Sequence, residues 1–144
     1  MKKLFKLGLG LFFAAALVAC SNEKEETAVY QLEQPGVSMT MTIVGKDDKV
    51  IKQITSSTIE YAAIGAETAE EAKQIIATLT NSTNYASIKG VDYEMQYGET
   101  SAKESITVDM LKADLKELAA LPGSAFDGDP TNGISFKATG MLLE

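Results

Sequence analysis

The sequence predicts an α+β domain: a four-stranded antiparallel sheet, in the order ββαββ, followed by short C-terminal helices, with the helices packed on one face. Three observations carry this expectation. Apolar and polar residues alternate with period two in three runs, a fourth run is extended and rich in β-branched residues, and the four come in pairs joined by short turns. Between the pairs lies one stretch with a helical start signal and helical apolar spacing. Beyond the last of these runs, Asp114 to Leu121 and Ser135 to Glu144 carry apolar residues at helical rather than strand spacing.

In the first run Val37, Met39, Met41 and Ile43 alternate with Ser38, Thr40 and Thr42, so one face is apolar and the other wet. Gly45-Lys46-Asp47-Asp48-Lys49 reads as a turn. Val50 to Tyr61 is the second run, rich in β-branched residues. Val50 and Ile54 share one parity there, while Ile59 and Tyr61 share the other. A bulge between Thr55 and Thr58 would reconcile them. Gly65, between Ile64 and Ala66, reads as a turn with positive φ.

Thr68-Ala69-Glu70-Glu71 is a capping box, with Thr68 as N-cap and Glu71 reaching back. Ala72, Ile75, Ile76 and Leu79 follow at i, i+3, i+4 and i+7, which places a helix over Ala69 to Thr80. Val91, Tyr93, Met95 and Tyr97 then alternate with Asp92, Glu94 and Gln96. After the turn at 98–101, Ile106, Val108 and Met110 alternate with Ser105, Thr107 and Asp109. A short helix is expected over Asp114 to Leu121, stopped by Pro122-Gly123, and another over Ser135 to Glu144. A chain of this length suits one such domain, here residues 28–144.

The N-terminus reads differently. Lys2, Lys3 and Lys6 precede the uncharged run Leu7 to Val18, the charge order of an export signal. As a helix those 12 residues would rise roughly 18 Å, short of the ~30 Å hydrocarbon core. Leu17-Val18-Ala19-Cys20 looks like a bacterial lipobox. Such a signal implies a diacylglycerol on the Cys20 thiol and cleavage between Ala19 and Cys20. Cys20 is the only cysteine, so no disulfide within the chain competes for it. Residues 1–19 are therefore expected to be a lipoprotein signal peptide. Residues 20–27, polar after the cysteine, are expected to be a tether.

Without residues 1–19 the chain has 10 lysines, no arginine, no histidine and 20 acidic residues, a formal charge of −10. That balance argues against nucleic acid, which needs a basic patch. It also argues against a second, electrostatic hold on an anionic leaflet. The missing histidine and spare cysteine remove Ser-His-Asp and Cys-His nucleophiles, His or Cys zinc sites and thiol redox work. No cofactor or metal is expected.

Several runs resemble the YehR-like bacterial lipoproteins, a family with a domain of unknown function. They are Gly45 to Glu60 with its Asp48-Lys49-Val50-Ile51-Lys52-Gln53, Ala62 to Ala66, Gly90-Val91-Asp92-Tyr93 and Ile106 to Met110. Their order and spacing carry the resemblance from Met39 to Leu143, with the lipobox in addition. It implies an exported, lipid-anchored α+β domain and transfers no catalytic residue.

Candidate chemistry is sparse. Asp92, Glu94 and Asp109 are the carboxylates that would serve a hydrolase or lyase, though alternation places them in water. Ser101 or Ser105 with Lys103 is a weak Ser-Lys pair, because neighbours on one strand do not face each other. Asp127, Asp129 and Asn132 offer oxygen ligands but lack the spacing of a calcium loop. Tyr61, Tyr93, Tyr97 and Met95 form the candidate face for a ligand or partner. Met39, Met41 and Met110 add to a deformable apolar surface. The expected role is a non-enzymatic binding or interaction module, monomeric and held on the extracytoplasmic side of a cell membrane (the outer one in a cell with two). Its partner would be a protein or an apolar ligand. The alternative is an envelope hydrolase or lyase using paired carboxylates.

Overall fold

A computed structural model of the chain describes residues 25–80, 85–120 and 133–143. Its centre is an antiparallel sheet of five strands rather than the expected four. They are β1 (Glu25–Gln34), β2 (Val37–Lys46), β3 (Lys49–Glu60), β4 (Val91–Tyr97) and β5 (Ser101–Asp109). The order across the sheet is β1-β2-β3-β5-β4.

The additional strand is β1. It pairs along its whole length with β2, Ala28 opposite Ile43, Tyr30 opposite Met41 and Leu32 opposite Met39. Pro35-Gly36 makes the two-residue connection. Proline fixes φ at the first turn position, and Gly36 takes φ 76° at the second. The strand begins at Glu25, three residues ahead of the expected domain start at Ala28 and inside the expected 20–27 tether. Its first residues are acidic and exposed, as suits an edge strand whose outer side faces water.

Lys46 and Lys49 pair across the β2–β3 turn, with Asp47 at φ 51° and Asp48 at φ 62°. Positive φ at both positions is the type I′ geometry that matches strand twist. A bulge follows, but not between Thr55 and Thr58. The register shifts where Gly45 faces Val50 and Val44 faces Lys52, so Ile51 is the extra residue. The Ile51 carbonyl accepts from the Met110 N–H at 3.0 Å. The bulge turns Val50 to the same face as Thr55, Ser57 and Ile59. Ile54 goes to the opposite face, between Thr42 and Thr107.

A 3₁₀ turn, Tyr61–Ile64, closes on Gly65 at φ 75°. Helix α1 spans Ala69–Thr80, the predicted bounds. Thr68 Oγ1 accepts from the Glu71 N–H at 3.2 Å, and the Glu71 carboxylate accepts from the Glu67 N–H at 2.9 Å. The box closes one residue further back than a standard capping box. Helix α2 (Leu115–Ala119) is capped by Asp114, which accepts from Lys116 and Glu117 N–H groups at 3.1 Å.

Helix α3 (Phe136–Leu143) is fastened at its start to the β2–β3 turn. The Asp48 carboxylate accepts from the Ser135 hydroxyl and, at 3.0 Å, from the Lys137 N–H. The Asp48 carbonyl accepts from Phe136 N–H at 2.9 Å. Phe136 packs against Gly45, where any Cβ would collide with its side chain.

One face of the sheet carries the core, in two separate clusters. Ile43, Val50, Val91 and Val108 gather at one end with Ile88, Met110 and Leu118. Tyr61, Ala66, Ala72, Ile76 and Ala102 gather at the other. Helix α1 therefore belongs to one end, and α2 and the start of α3 to the other.

Candidate functional site

The register fixes what lies between the two clusters. On the core face, Leu32 of β1, Met39 of β2, Ser57 of β3, Glu104 of β5 and Met95 of β4 stand in one row across the sheet. The next row is Tyr30, Met41, Thr55, Ile106 and Tyr93. Leu32, Met39, Met41, Tyr93, Met95 and Glu104 are all half-buried, unlike the cluster residues on either side. Leu32, Met39 and Tyr93 belong to neither cluster.

Glu104 is the chemically distinct residue of this band. Its strand neighbours on the same face are Ala102 and Ile106, and its cross-strand neighbours are Ser57 and Met95. Burial pushes its carboxyl above the usual carboxylate range, and a hydrogen bond from Tyr93 opposes part of that rise. Tyr93 in turn is pushed up to about 12, chiefly by burial and then by the charge and hydrogen bond of Glu104. Tyr93 is therefore a neutral phenol that donates to Glu104. Tyr85 stacks on Tyr93, with ring centroids 6.0 Å apart and planes at 22°. Burial first, and Glu104 second, raise its phenol as well. Tyr97 is raised by burial, then by Tyr61 and Glu104.

The floor of the band holds a second polar group. Ser57 is 6% exposed, and its Oγ has no hydrogen-bond partner among the described residues. A buried hydroxyl left without a partner costs about 1–3 kcal/mol. It sits directly across from Glu104.

The four residues expected to form a ligand face separate into two groups. Tyr93, Met95 and Tyr97 line the band's β4 side. Tyr61 does not join them: it is 3% exposed, packed in the α1 cluster, and its hydroxyl donates to the Gly98 carbonyl at 2.8 Å. Met39 and Met41 face the band, and Met41 also packs against the cluster in which Met110 is buried with Leu118 of α2.

The other candidates lie apart from it. Asp92 and Glu94 project from the opposite face of β4 and are exposed. Glu94 accepts from Gln96 at 2.7 Å. Asp109 pairs with Lys112 at 3.0 Å, and that bond holds its carboxyl below the usual range, the wrong direction for a general acid. Ser101, Lys103 and Ser105 share that outer face, where Lys103 stands between Thr58 and Gln96. Ala19, Cys20, Asp127, Asp129 and Asn132 lie outside the described residues. An open depression of about 430 Å³ is lined by Gly65, Glu67, Glu71, Gln74 and Ile75. Its Glu71 is occupied in capping α1.

Alternation in the sequence contains the signal for Glu104. Extending Val108 and Ile106 backward by two residues lands on it. A strand reading that starts at the first apolar residue stops short of a carboxylate on the core side.

The protein family described as "Protein of unknown function (DUF1307)" matches residues 26–144. An uncharacterized lipoprotein of Listeria monocytogenes is 34% identical over 99% of this chain and 94% of its own length. One from Listeria innocua is 36% identical over the same shares. The uncharacterized lipoprotein YehR of Escherichia coli is 36% identical over 99% of this chain and 92% of its own. The NMR structure of E. coli YehR superimposes with a TM-score of 0.70 at 32% identity, covering 85% of this chain and 88% of that one.

Proposed function

Because the chain belongs to the DUF1307 family, whose similar proteins bear the name lipoprotein, we propose that it is a lipid-anchored binding module of the cell envelope and not an enzyme. Residues 1–19 are its export signal, and cleavage before Cys20 leaves a diacylglycerol on that thiol. Two acyl chains give stable attachment where one would not. Residues 21–24 reach at most about 14 Å, so β1 starts close to the bilayer and the acidic domain stands on the extracytoplasmic side as a monomer. The module takes a ligand with an apolar body at the half-buried band of Met39, Met41, Tyr93, Met95 and Tyr97.

The observation that carries the reading is the interruption of the core. Two buried clusters flank a deformable row whose Leu32, Met39, Met95 and Glu104 are only half covered and whose floor is a hydroxyl that has no partner among the described residues. A paired-carboxylate hydrolase draws no comparable support. Glu104 has no second carboxylate on its face of β5 or among its cross-strand neighbours, and Asp92, Glu94 and Asp109 point to the other side.

Methyl-¹³C methionine spectra of the full lipidated chain in nanodiscs, titrated with the small-molecule fraction of its own cell envelope, test this. Met39, Met41 and Met95 are expected to shift saturably while Met110 does not. Equal shifts at all four methyls, or none, would contradict the reading.

A further inference from the structure

We propose that the band around Glu104 is specific for an organic cation, an ammonium group carried on an apolar body. The inference rests on the binding reading above and adds the chemistry of the ligand.

Glu104 is half-buried, with no basic partner on its face among the described residues. The residues beside it in the strand and across from it are Ala102, Ile106, Ser57 and Met95. Among the described residues, the side chain that hydrogen-bonds it is that of Tyr93. Lys103, next in the chain, projects from the opposite face between Thr58 and Gln96. Lys112 is committed to Asp109, also on that side. A carboxylate has room for several donors, and a phenol supplies one. A partly buried charge without a countercharge is tolerated best where a cation arrives from outside.

The surroundings of Glu104 fit such a cation. The stacked rings of Tyr85 and Tyr93 lie beside the carboxylate. Ring faces attract an ammonium within about 6 Å of their centroids. Met39, Met41 and Met95 offer polarizable contact to the apolar body. Ser57 Oγ, buried across from Glu104 and without a partner among the described residues, is an acceptor for an ammonium N–H. A neutral apolar ligand would use the methionines and leave both Glu104 and Ser57 as they are.

The test uses 2-phenylethylammonium and its neutral counterpart 2-phenylethanol, titrated into the full lipidated chain in nanodiscs and read at the methionine methyls. The ammonium is expected to bind about tenfold more tightly. Glu104→Gln should abolish that preference, and Glu94→Gln, on the opposite face, should preserve it. If Glu104→Gln does not fold, Tyr85→Leu serves in its place and should weaken the ammonium more than the alcohol.

Equal binding of both probes, or a preference that survives Glu104→Gln, overturns the inference while leaving the binding band intact. So does a preference lost equally in Glu94→Gln, which would mark it as an effect of net charge. Silence of the methyls toward both probes also overturns it. The envelope-fraction titration then decides the broader reading separately.

Discussion

Glu104 is expected to weaken the fold as pH rises to neutral, a cost open to measurement. Its folded pKa lies above the ordinary value because burial disfavours the charge. A carboxyl with a raised folded pKa contributes stability that is fully present below the unfolded pKa, near 4.3. The contribution is lost as pH rises through the folded value. Tyr93, Tyr85 and Tyr97, which face it, are all raised and stay neutral across that window. Glu104→Gln should therefore gain stability relative to the parent chain as pH climbs from about 4 to 7, seen by urea denaturation at several pH values. A parallel pH dependence in both proteins would contradict the assignment. The carboxylates easiest to see in the sequence, Asp92, Glu94 and Asp109, are the exposed ones, because the alternation that reveals them also places them in water. Glu104 sits on the apolar parity, where a hydrophobic pattern search does not look for charge.

Among the elements, α1 is the most legible: a capping box and one apolar stripe give its bounds, with tertiary packing adding only the choice of cluster. The β2–β3 and β4–β5 hairpins are legible from alternation and short turns. Strand β1 is not, although Pro35-Gly36 announces a turn. Its alternation of Ala28, Tyr30 and Leu32 is diluted by Val29 on the other face, and its first residues match a solvated tether. The bulge is foreseeable in kind but not in place, because parity reports that an extra residue exists somewhere in 50–59 and pairing alone locates it at Ile51. The fastening of α3 to the β2–β3 turn joins residues 87 to 89 positions apart and is invisible to local patterns. Asp48→Ala removes the acceptor shared by Ser135 and Lys137. It should cost about 1 kcal/mol, as a lost helix cap does, plus the strain of alanine at positive φ. Asp48→Asn, which tolerates that φ and keeps one acceptor oxygen, should cost less. Hydrogen exchange should show the α3 amides opening faster in Asp48→Ala, with β3 and β5 unchanged.

At the scale of the molecule, the proposed function joins an address and a binding surface by a short connection. Cys20→Ala should move the protein from the membrane fraction to the soluble extracytoplasmic fraction or stall it as the unprocessed precursor. Retention of a processed protein in the membrane fraction would contradict lipid anchoring. The acidic body, formally −10 without residues 1–19, adds no attraction to an anionic leaflet. The two faces of the sheet differ in kind. One is a hydroxyl-rich surface that includes Ser38, Thr40, Thr42, Ser56 and Thr107, and the other carries the Met/Tyr band with Glu104. Met39 and Thr42 stand three residues apart on β2 and on opposite faces, so they discriminate between the two. A photo-crosslinking residue placed at each in the lipid-anchored protein in living cells, followed by intact mass, tests the account most directly. It predicts a discrete small-molecule adduct at position 39 and none at 42. Adducts at 42 with none at 39, or none at either, would contradict it.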